Sequence, residues 1–324
     1  MTWALLLPPL ASALLGVAGA PLARRLGPRS TGRLVPVTAL VVAGSTLVAL
    51  AAVAVLVVAR VAEVAEFGQL SIPALPAPPA GIPLPVGIGL GAAVALSLGV
   101  AARRALWAVA ETVAAQVACR GLVRRADGVH LLDDERPRAF AVAGPPGRVV
   151  VSRGMLRSLS DREQEAVFAH ERSHLRRRHH VGLLAVQVAA AADPLLRPLL
   201  AVVALAVERE ADEDAAVAVG DRRVVAFAVA RAGLAGAAAK RGGQRVPATS
   251  LAAAGGDVPL RVEALLAPPV RSRRWLAVPV VAVAMVAAWA TWANGITTDH
   301  HIDRARAAYS ASSGSVGGVE QVPD

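Results

Sequence analysis

Ser160–His180 read SDREQEAVFAHERSHLRRRHH, and the interpretation of the other residues depends on this stretch. It places His170, Glu171 and His174 in the spacing H-E-x-x-H. Residues four apart on an α-helix lie on one face, one turn apart, so the two imidazoles can bind one metal ion. Glu171 lies beside them, where its carboxylate can accept a proton from an attacking water. The stretch therefore predicts a Zn²⁺ site with two histidine ligands and a general base.

The same stretch carries independent signals of a helix. Ser160 is a favourable N-cap, and Glu163 lies three residues further on, as a capping box requires. Acidic residues near this end and Arg176, Arg177 and Arg178 near the other match the polarity of a helix dipole. Many exposed helices also carry charged faces, so the metal interpretation depends on a third ligand elsewhere in the chain.

Composition indicates a membrane protein. The hydrophobic fraction is 55%, and much of it lies in long apolar runs. The net charge of +10 could suggest nucleic acid, but the basic residues gather beside the apolar runs, as at the cytoplasmic ends of membrane spans. No direct nucleic-acid binding is expected, and the lipid bilayer is the expected partner. A single cysteine, Cys119, excludes an intrachain disulfide and a cysteine-based zinc cage.

Four apolar runs predict transmembrane helices, at about residues 3–20, 34–58, 86–102 and 275–293. The first run could also be a signal peptide, since it ends in small residues, but no basic region precedes it. Residues 105–121 predict a helix that continues off the membrane. Basic residues gather at those ends of the spans that would lie on one common side of the membrane. They are Arg24, Arg25, Arg29, Arg33, Arg103, Arg104, Arg271, Arg273 and Arg274.

This distribution of arginines predicts a multi-pass protein of the cell membrane with both termini outside and the H-E-x-x-H motif in the cytoplasm. The predicted regions are a membrane region at 1–104, a cytoplasmic domain at 105–270, the fourth span at 275–293 and a short extracytoplasmic tail at 294–324.

Short strands are predicted before the motif helix, at 130–132, 139–142 and 148–152. The expected fold is therefore a mainly α membrane protein with four transmembrane helices and a cytoplasmic zincin-like α+β domain containing a small sheet. The strand around 149–152 could bind an extended substrate through a free edge.

Residues 181–207 are strongly apolar but are not predicted to cross the membrane. One crossing would place all later residues across the membrane from the two histidines, and two crossings need roughly 40 residues. Asp193-Pro194 and Arg197 also interrupt the run. We interpret it as two helices joined at Asp193-Pro194, packed in the domain or on the bilayer surface, as a connector over the metal.

The run after this segment supplies a candidate third ligand. Glu208 and Asp212 are four apart and share a helical face. Glu208 can bind zinc while Asp212 orients a ligating histidine. A solvated acidic face is the alternative.

In these residues the chain resembles the zinc-dependent membrane peptidases of families M48 and M56. The resemblance rests on His170, Glu171 and His174 and on Glu208 with Ala211 and Asp212, an E-x-x-A-D sequence. Weaker support comes from 138–141, 148–156 and 261–266. Three predicted spans before the motif favour M56, and so does the lack of two full spans between His174 and Glu208. The antibiotic-sensing members of that family carry an external penicillin-binding domain, which is not expected here.

The resemblance implies a zinc metalloendopeptidase acting on a protein substrate at the cytoplasmic face. Regulated cleavage of a transcriptional repressor is the expected role. Quality control of membrane proteins and a non-hydrolytic receptor or scaffold are the alternatives. His179 and His180 are candidates for an oxyanion donor by position alone, whereas Tyr309 lies in the predicted external tail and is excluded.

Overall fold

The computed structural model describes residues 2–76, 81–241, 257–268 and 274–316. Within these ranges the chain is mainly helical, as expected where long apolar segments must satisfy their backbone hydrogen bonds internally. The helices are α1 (Thr2–Arg25), α2 (Pro28–Val58), α3 (Ala62–Phe67), α4 (Leu84–Ala118), α5 (Arg153–Ser158), α6 (Asp161–Arg177), α7 (His179–Ala192), α8 (Leu199–Val219), α9 (Arg222–Arg241), α10 (Val258–Leu266) and α11 (Ala277–Val316).

Between α4 and α5 the chain forms a small mixed sheet. Its strands are β1 (Val123–Arg124), β2 (His130–Leu132), β3 (Ala139–Val142) and β4 (Arg148–Ser152). Their order is β1-β2-β4-β3, with β2 and β4 parallel and the other two pairs antiparallel. Three of these strands lie where the sequence predicted them. The predicted fold class, a helical membrane protein with a small sheet, is confirmed.

The position of β4 corrects one expectation. The sequence suggested that 149–152 has a free edge for substrate, but β4 lies between β2 and β3, and both of its edges are already paired. Its three consecutive valines are buried, as is typical of a strand covered on both faces. The outer strand that contacts the motif helix α6 is β3.

Four of the described helices are long and apolar enough to cross a membrane. Their apolar segments are Ala4–Arg25, Pro28–Val58, Leu84–Ala118 and Ala277–Ser312. Each overlaps one of the predicted spans. The third span was expected to end at residue 102 and to be followed by a helix at 105–121 that continues off the membrane, and the structure contains both as one unbroken helix, α4, that ends at Ala118. A helix of 35 residues is about 52 Å long, so α4 extends well beyond a hydrocarbon layer of about 30 Å.

The segment after the fourth predicted span is more regular than expected. The sequence predicted a short tail from residue 294, whereas α11 continues to Val316. Residues 296–309 contain neither Pro nor Gly, so nothing in them interrupts the helix. This part of α11 packs on the loop after α3, where the N–H of Ser71 donates to the carbonyl of Ala305.

Residues 181–207 form the two predicted helices, α7 and the first half of α8, joined by Asp193 and a short 3₁₀ turn at Pro194–Leu196. Their location differs from both predicted places. The pair inserts between α1, α2 and α4 as a helical hairpin, and it shares one apolar core with them. The apolar surface of the pair favours this arrangement, because two short helices can bury it against the spans without crossing the membrane themselves.

The tip of this hairpin contacts the middle of α1. The hydroxyl of Ser12 donates to Asp193, which also accepts from the backbone N–H of Leu195. Gly16 permits the close approach, since a Cβ there would collide with the carbonyl oxygen of Leu195. The buried carboxylate is thus paired, as a polar group at membrane depth must be.

The helix α8 belongs to two cores. Leu199, Val203 and Val207 lie in the core shared with the membrane helices. Ala215 and Ala216 lie in a second core, formed with the sheet, α6 and α9. The residues that could bind metal lie between these two halves, so α8 joins the membrane bundle directly to the site.

Candidate metal centre

The motif helix α6 begins as the sequence predicts. Ser160 is its N-cap, and the Glu163 carboxylate accepts from the Ser160 backbone N–H at 2.8 Å, completing a capping box. Arg178 ends the helix in the left-handed conformation, with φ of 55°. This turn starts α7 immediately, so the residues after the motif fold back toward α8 rather than leaving the site.

Packing of α6 against α8 brings together the three predicted ligands. Nε2 of His170 lies 3.0 Å from Nε2 of His174 and 3.5 Å from Oε2 of Glu208. Nε2 of His174 lies 3.6 Å from Oε1 of Glu208. His174 and Glu208 are buried, and His170 is slightly more accessible. The three side chains form one metal-ligand cluster.

These separations fit zinc. Ligands about 2.0–2.1 Å from a tetrahedral ion are about 3.3 Å from one another, close to the three distances in the cluster. Oε1 of Glu208 is buried and has no hydrogen-bond partner among the described residues, as expected of an oxygen that binds a metal. Two imidazoles and one carboxylate are also the donor set of many catalytic zinc sites.

Asp212 lies where the sequence expected an orienting carboxylate. Its Oδ1 is 2.9 Å from Nδ1 of His170, the nitrogen on the side away from the cluster. Asp212 is 1% exposed, and burial alone would raise its pKa. Hydrogen bonds from Arg261 and His170 outweigh burial and lower the pKa of Asp212 to about 2.

Arg261, on α10, is a site residue that was not predicted from the sequence. Its Nε and one terminal nitrogen contact the two Asp212 oxygens at 2.8 and 2.6 Å. Its other terminal nitrogen lies 2.7 Å from Oε2 of Glu208. The sequence marked 261–266 only as part of a resemblance, and a single arginine in an arginine-rich chain carries no spacing signal. Its role comes from the packing of α10 on α8 and α9.

The surroundings of the two ligand histidines shift their pKa values in opposite directions. Burial lowers the pKa of His170, but hydrogen bonds to Asp212 and Glu208 raise it overall, to about 10. Burial and the neighbouring His170 lower the pKa of His174 to about 3. His170 is therefore the more basic of the two ligands, and metal binding at its imidazole competes with a proton.

Glu171 faces the outer strand of the sheet. Burial, together with the charge of Glu208, raises its pKa to about 7, although the positive charge of His170 and a hydrogen bond from the backbone of Ala141 act in the opposite direction. A carboxylate with a pKa near neutrality can both accept and release a proton under physiological conditions.

Neither candidate oxyanion donor faces the cluster. His179 is buried behind His174, with its Nδ1 2.9 Å from Nδ1 of that residue, on the side opposite the ligating Nε2. His180 is exposed. Tyr309 lies on the distal part of α11, far along the chain from the site.

Residues 102–239 match the model of Peptidase family M48. The chain contains a peptidase M48 domain. The match includes the whole of α6 and both Glu208 and Asp212. It gives no support to the M56 assignment, which rested on the number and placement of spans before the motif and between His174 and Glu208 rather than on the catalytic residues. No curated protein and no solved structure is significantly similar to the chain.

The M48 match and the ligand cluster together identify the activity. The protein is a zinc metallopeptidase whose metal is bound by His170, His174 and Glu208. Its four candidate spans indicate a multi-pass membrane protein.

Proposed function

We propose that this M48 peptidase is an endopeptidase that cleaves protein segments presented at the cytoplasmic surface of the membrane. The observation that carries the proposal is the joining of the ligand cluster to the membrane helices through α8. The proposed regions are those predicted from the sequence, with one change: 1–104 in the membrane, 105–270 in the cytoplasm except for the hairpin at 181–207, which packs among the membrane helices, 275–293 as the fourth span and 294–324 outside.

The roles of the site residues follow from their positions. Bound zinc would polarise both the attacking water and the scissile carbonyl. Glu171 accepts the proton of the water and passes it to the leaving amine, for which a pKa of about 7 is well suited. Asp212 fixes the ring of His170, and Arg261 holds Asp212 and Glu208 in place.

The strand β3 supports binding of an extended substrate. It is the outer strand of the sheet on the side of α6, and no strand of the described residues pairs with its outer edge. Ala141 contacts Glu171 through its backbone. A peptide paired with this edge would pass beside Glu171, with its main chain bound by β-strand addition.

Contacts between regions support the proposed sidedness. Arg29, in the turn between the first two spans, pairs with Glu210, two residues beyond the ligand Glu208. The arginine-rich turn and the site therefore lie on one side of the bundle. The positive-inside rule assigns that side to the cytoplasm.

The same proximity favours membrane-tethered substrates. The ligand helix α8 continues from a hairpin that inserts between the spans, and Val207, beside Glu208, lies so near the start of α2 that a Cβ added at Gly32 would be 3.3 Å from its side chain. A site at this depth is within reach of segments that leave the bilayer. A soluble transcriptional repressor, the substrate expected from the sequence, is the alternative that a trapping experiment distinguishes.

Substrate trapping with Glu171→Ala tests the proposal. The full-length variant should bind zinc, fail to cleave and retain substrates that can be identified by cross-linking and mass spectrometry. Glu165→Ala is the matched control, because Glu165 is an exposed residue of the same helix and faces away from the cluster.

The identity of the trapped proteins separates the substrate classes. Enrichment of integral or anchored membrane proteins supports the proposal, whereas enrichment of a soluble DNA-binding protein supports cleavage of a repressor. If cells with Glu171→Ala accumulate no uncleaved protein relative to wild type, hydrolysis is not the function, and a receptor or scaffold role replaces it.

A further inference from the structure

A chain of three polar side chains runs from the back of the zinc ligand His174. Nδ1 of His179, at the start of α7, lies 2.9 Å from Nδ1 of His174. Nε2 of His179 lies 3.3 Å from Oε2 of Glu210 on α8. His179 and Glu210 are only 5% and 4% exposed, so water does not satisfy these groups.

The hydrogen-bond directions in this chain are consistent from end to end. When Nε2 of His174 binds metal, the proton of the neutral ring is on Nδ1, which can only donate. Nδ1 of His179 must then accept, so the proton of His179 is on Nε2 and is donated to Glu210. A carboxylate is the acceptor that such a chain needs, because an ionised carboxylate has no proton to donate.

The far end of the chain is fixed to the membrane region. Oε1 of Glu210 accepts from Nε of Arg29, in the first turn of α2, at 3.2 Å. Arg177, at the end of α6, approaches the same oxygen at 3.5 Å. One oxygen of Glu210 therefore interacts with arginines from two helices, while its other oxygen faces His179.

We propose that His179 and Glu210 are positioning residues for the zinc ligand His174. The chain sets the tautomer of His174, orients its ring and increases the electron density on Nε2, as carboxylates do for ligating histidines elsewhere. Asp212 contacts the ring of His170 directly, whereas Glu210 acts on His174 through the intervening His179. The inference rests on the zinc site and does not depend on which substrate is cleaved.

Three substitutions of His179 separate hydrogen bonding from space filling. In His179→Asn, Oδ1 is attached to Cγ, as Nδ1 is in histidine, so it can still accept from His174. In His179→Gln the side chain is closer to histidine in volume, but its polar atoms lie one bond further out and miss Nδ1. His179→Leu fills space without any acceptor. If packing alone matters, Gln and Leu should be at least as good as Asn.

The measurement is zinc affinity of the detergent-solubilised full-length protein, by competition with a chromophoric chelator. We expect His179→Gln and His179→Leu to weaken zinc binding by about 10- to 100-fold, as for other partners of ligating histidines. His179→Asn should retain most of the affinity. Visible spectra of the cobalt-substituted proteins should shift for Gln and Leu and stay close to wild type for Asn.

Glu210→Gln provides a second test that changes the shape of the site least. A neutral amide is a weaker acceptor than a carboxylate, so zinc affinity should fall here too. His180→Gln and Glu213→Gln are the controls, since His180 is exposed and Glu213 pairs with Arg222 away from the cluster. Both controls should bind zinc as the wild type does.

The proposal is overturned if Asn is no better than Gln at position 179, or if Glu210→Gln binds zinc as tightly as Glu213→Gln. Because the readouts are metal affinity and the cobalt spectrum, a wrong assignment of substrate or of Glu171 would leave them unchanged. Should the His179 variants fail to fold, the comparison of Glu210→Gln with Glu213→Gln decides the question alone.

Discussion

Arg261 contacts two carboxylates of the site at once, Asp212 through two nitrogens and Glu208 through a third. Its side chain is 13% exposed, so the three groups interact with little screening by water. Removing the guanidinium would leave two buried negative charges beside each other, and the pKa of Asp212 would rise because only His170 would then offset the effect of burial.

We therefore predict that Arg261→Met destabilises the metal-free protein by about 3–5 kcal/mol, the usual cost of removing one partner of a buried ion pair. Denaturant unfolding in detergent, after chelator treatment, measures the change. Arg172→Met is the control, because Arg172 is exposed on α6 and contacts only a backbone carbonyl. A loss no larger than that of the control would contradict the assigned role.

Among the individual site residues, the sequence predicted those whose positions follow from spacing along a single helix. His170, Glu171 and His174 lie within five residues, and Glu208 and Asp212 are four apart, so each set is fixed by one helix. The contributions of Arg261 and His179 depend on how separate helices pack. No spacing in the chain indicates them, and the sequence offered His179 only as a candidate oxyanion donor by position.

Among the elements, α7 and α8 differ most from the predictions. Their existence and the break at Asp193-Pro194 could be predicted from apolar periodicity and proline. Their insertion between the spans could not, because hydropathy reports how apolar a segment is and not what covers it. The extension of α11 was missed for a related reason, since a polar helix outside the membrane has no hydropathy signal.

The close contact between α1 and the hairpin tip gives an element-scale prediction. Gly16→Ala should force the hairpin away from α1, because the added Cβ would collide with the carbonyl of Leu195. Since α8 carries Glu208, the shift should lower both the thermal unfolding midpoint and peptidase activity, the latter by about tenfold or more as for misplaced catalytic groups.

Gly44→Ala is the matched control for this change. Gly44 is also within a membrane helix, but a Cβ there would meet no atom within 4 Å. It should be neutral or slightly stabilising, since alanine favours helices over glycine by about 1 kcal/mol. Equal behaviour of the two variants would mean that the hairpin does not depend on contact with α1.

In the whole molecule, two contacts define two opposite sides of the helical bundle, one at each end of α2. The pairing of Arg29 with Glu210 joins the first interhelical turn to the catalytic side. The backbone hydrogen bond from Ser71 to Ala305 joins the loop after α3 to the distal part of α11. The two contacts lie at opposite ends of α2. If one of these ends faces the cytoplasm, the other must face the outside.

Accessibility of introduced cysteines tests this assignment in intact cells. In a Cys119→Ser background, Glu63→Cys and Asp303→Cys should react with a membrane-impermeant maleimide, because both positions are exposed on the predicted external side. Glu165→Cys, exposed on α6, should react only after the cells are opened. The positive-inside rule predicts this orientation from the arginines between the first two spans. Because the contacts at the two ends of α2 connect the three labelled positions to one bundle, all three test the same orientation. Labelling of Glu165→Cys in intact cells, with Glu63→Cys and Asp303→Cys protected, would place the peptidase outside and exclude every cytoplasmic substrate.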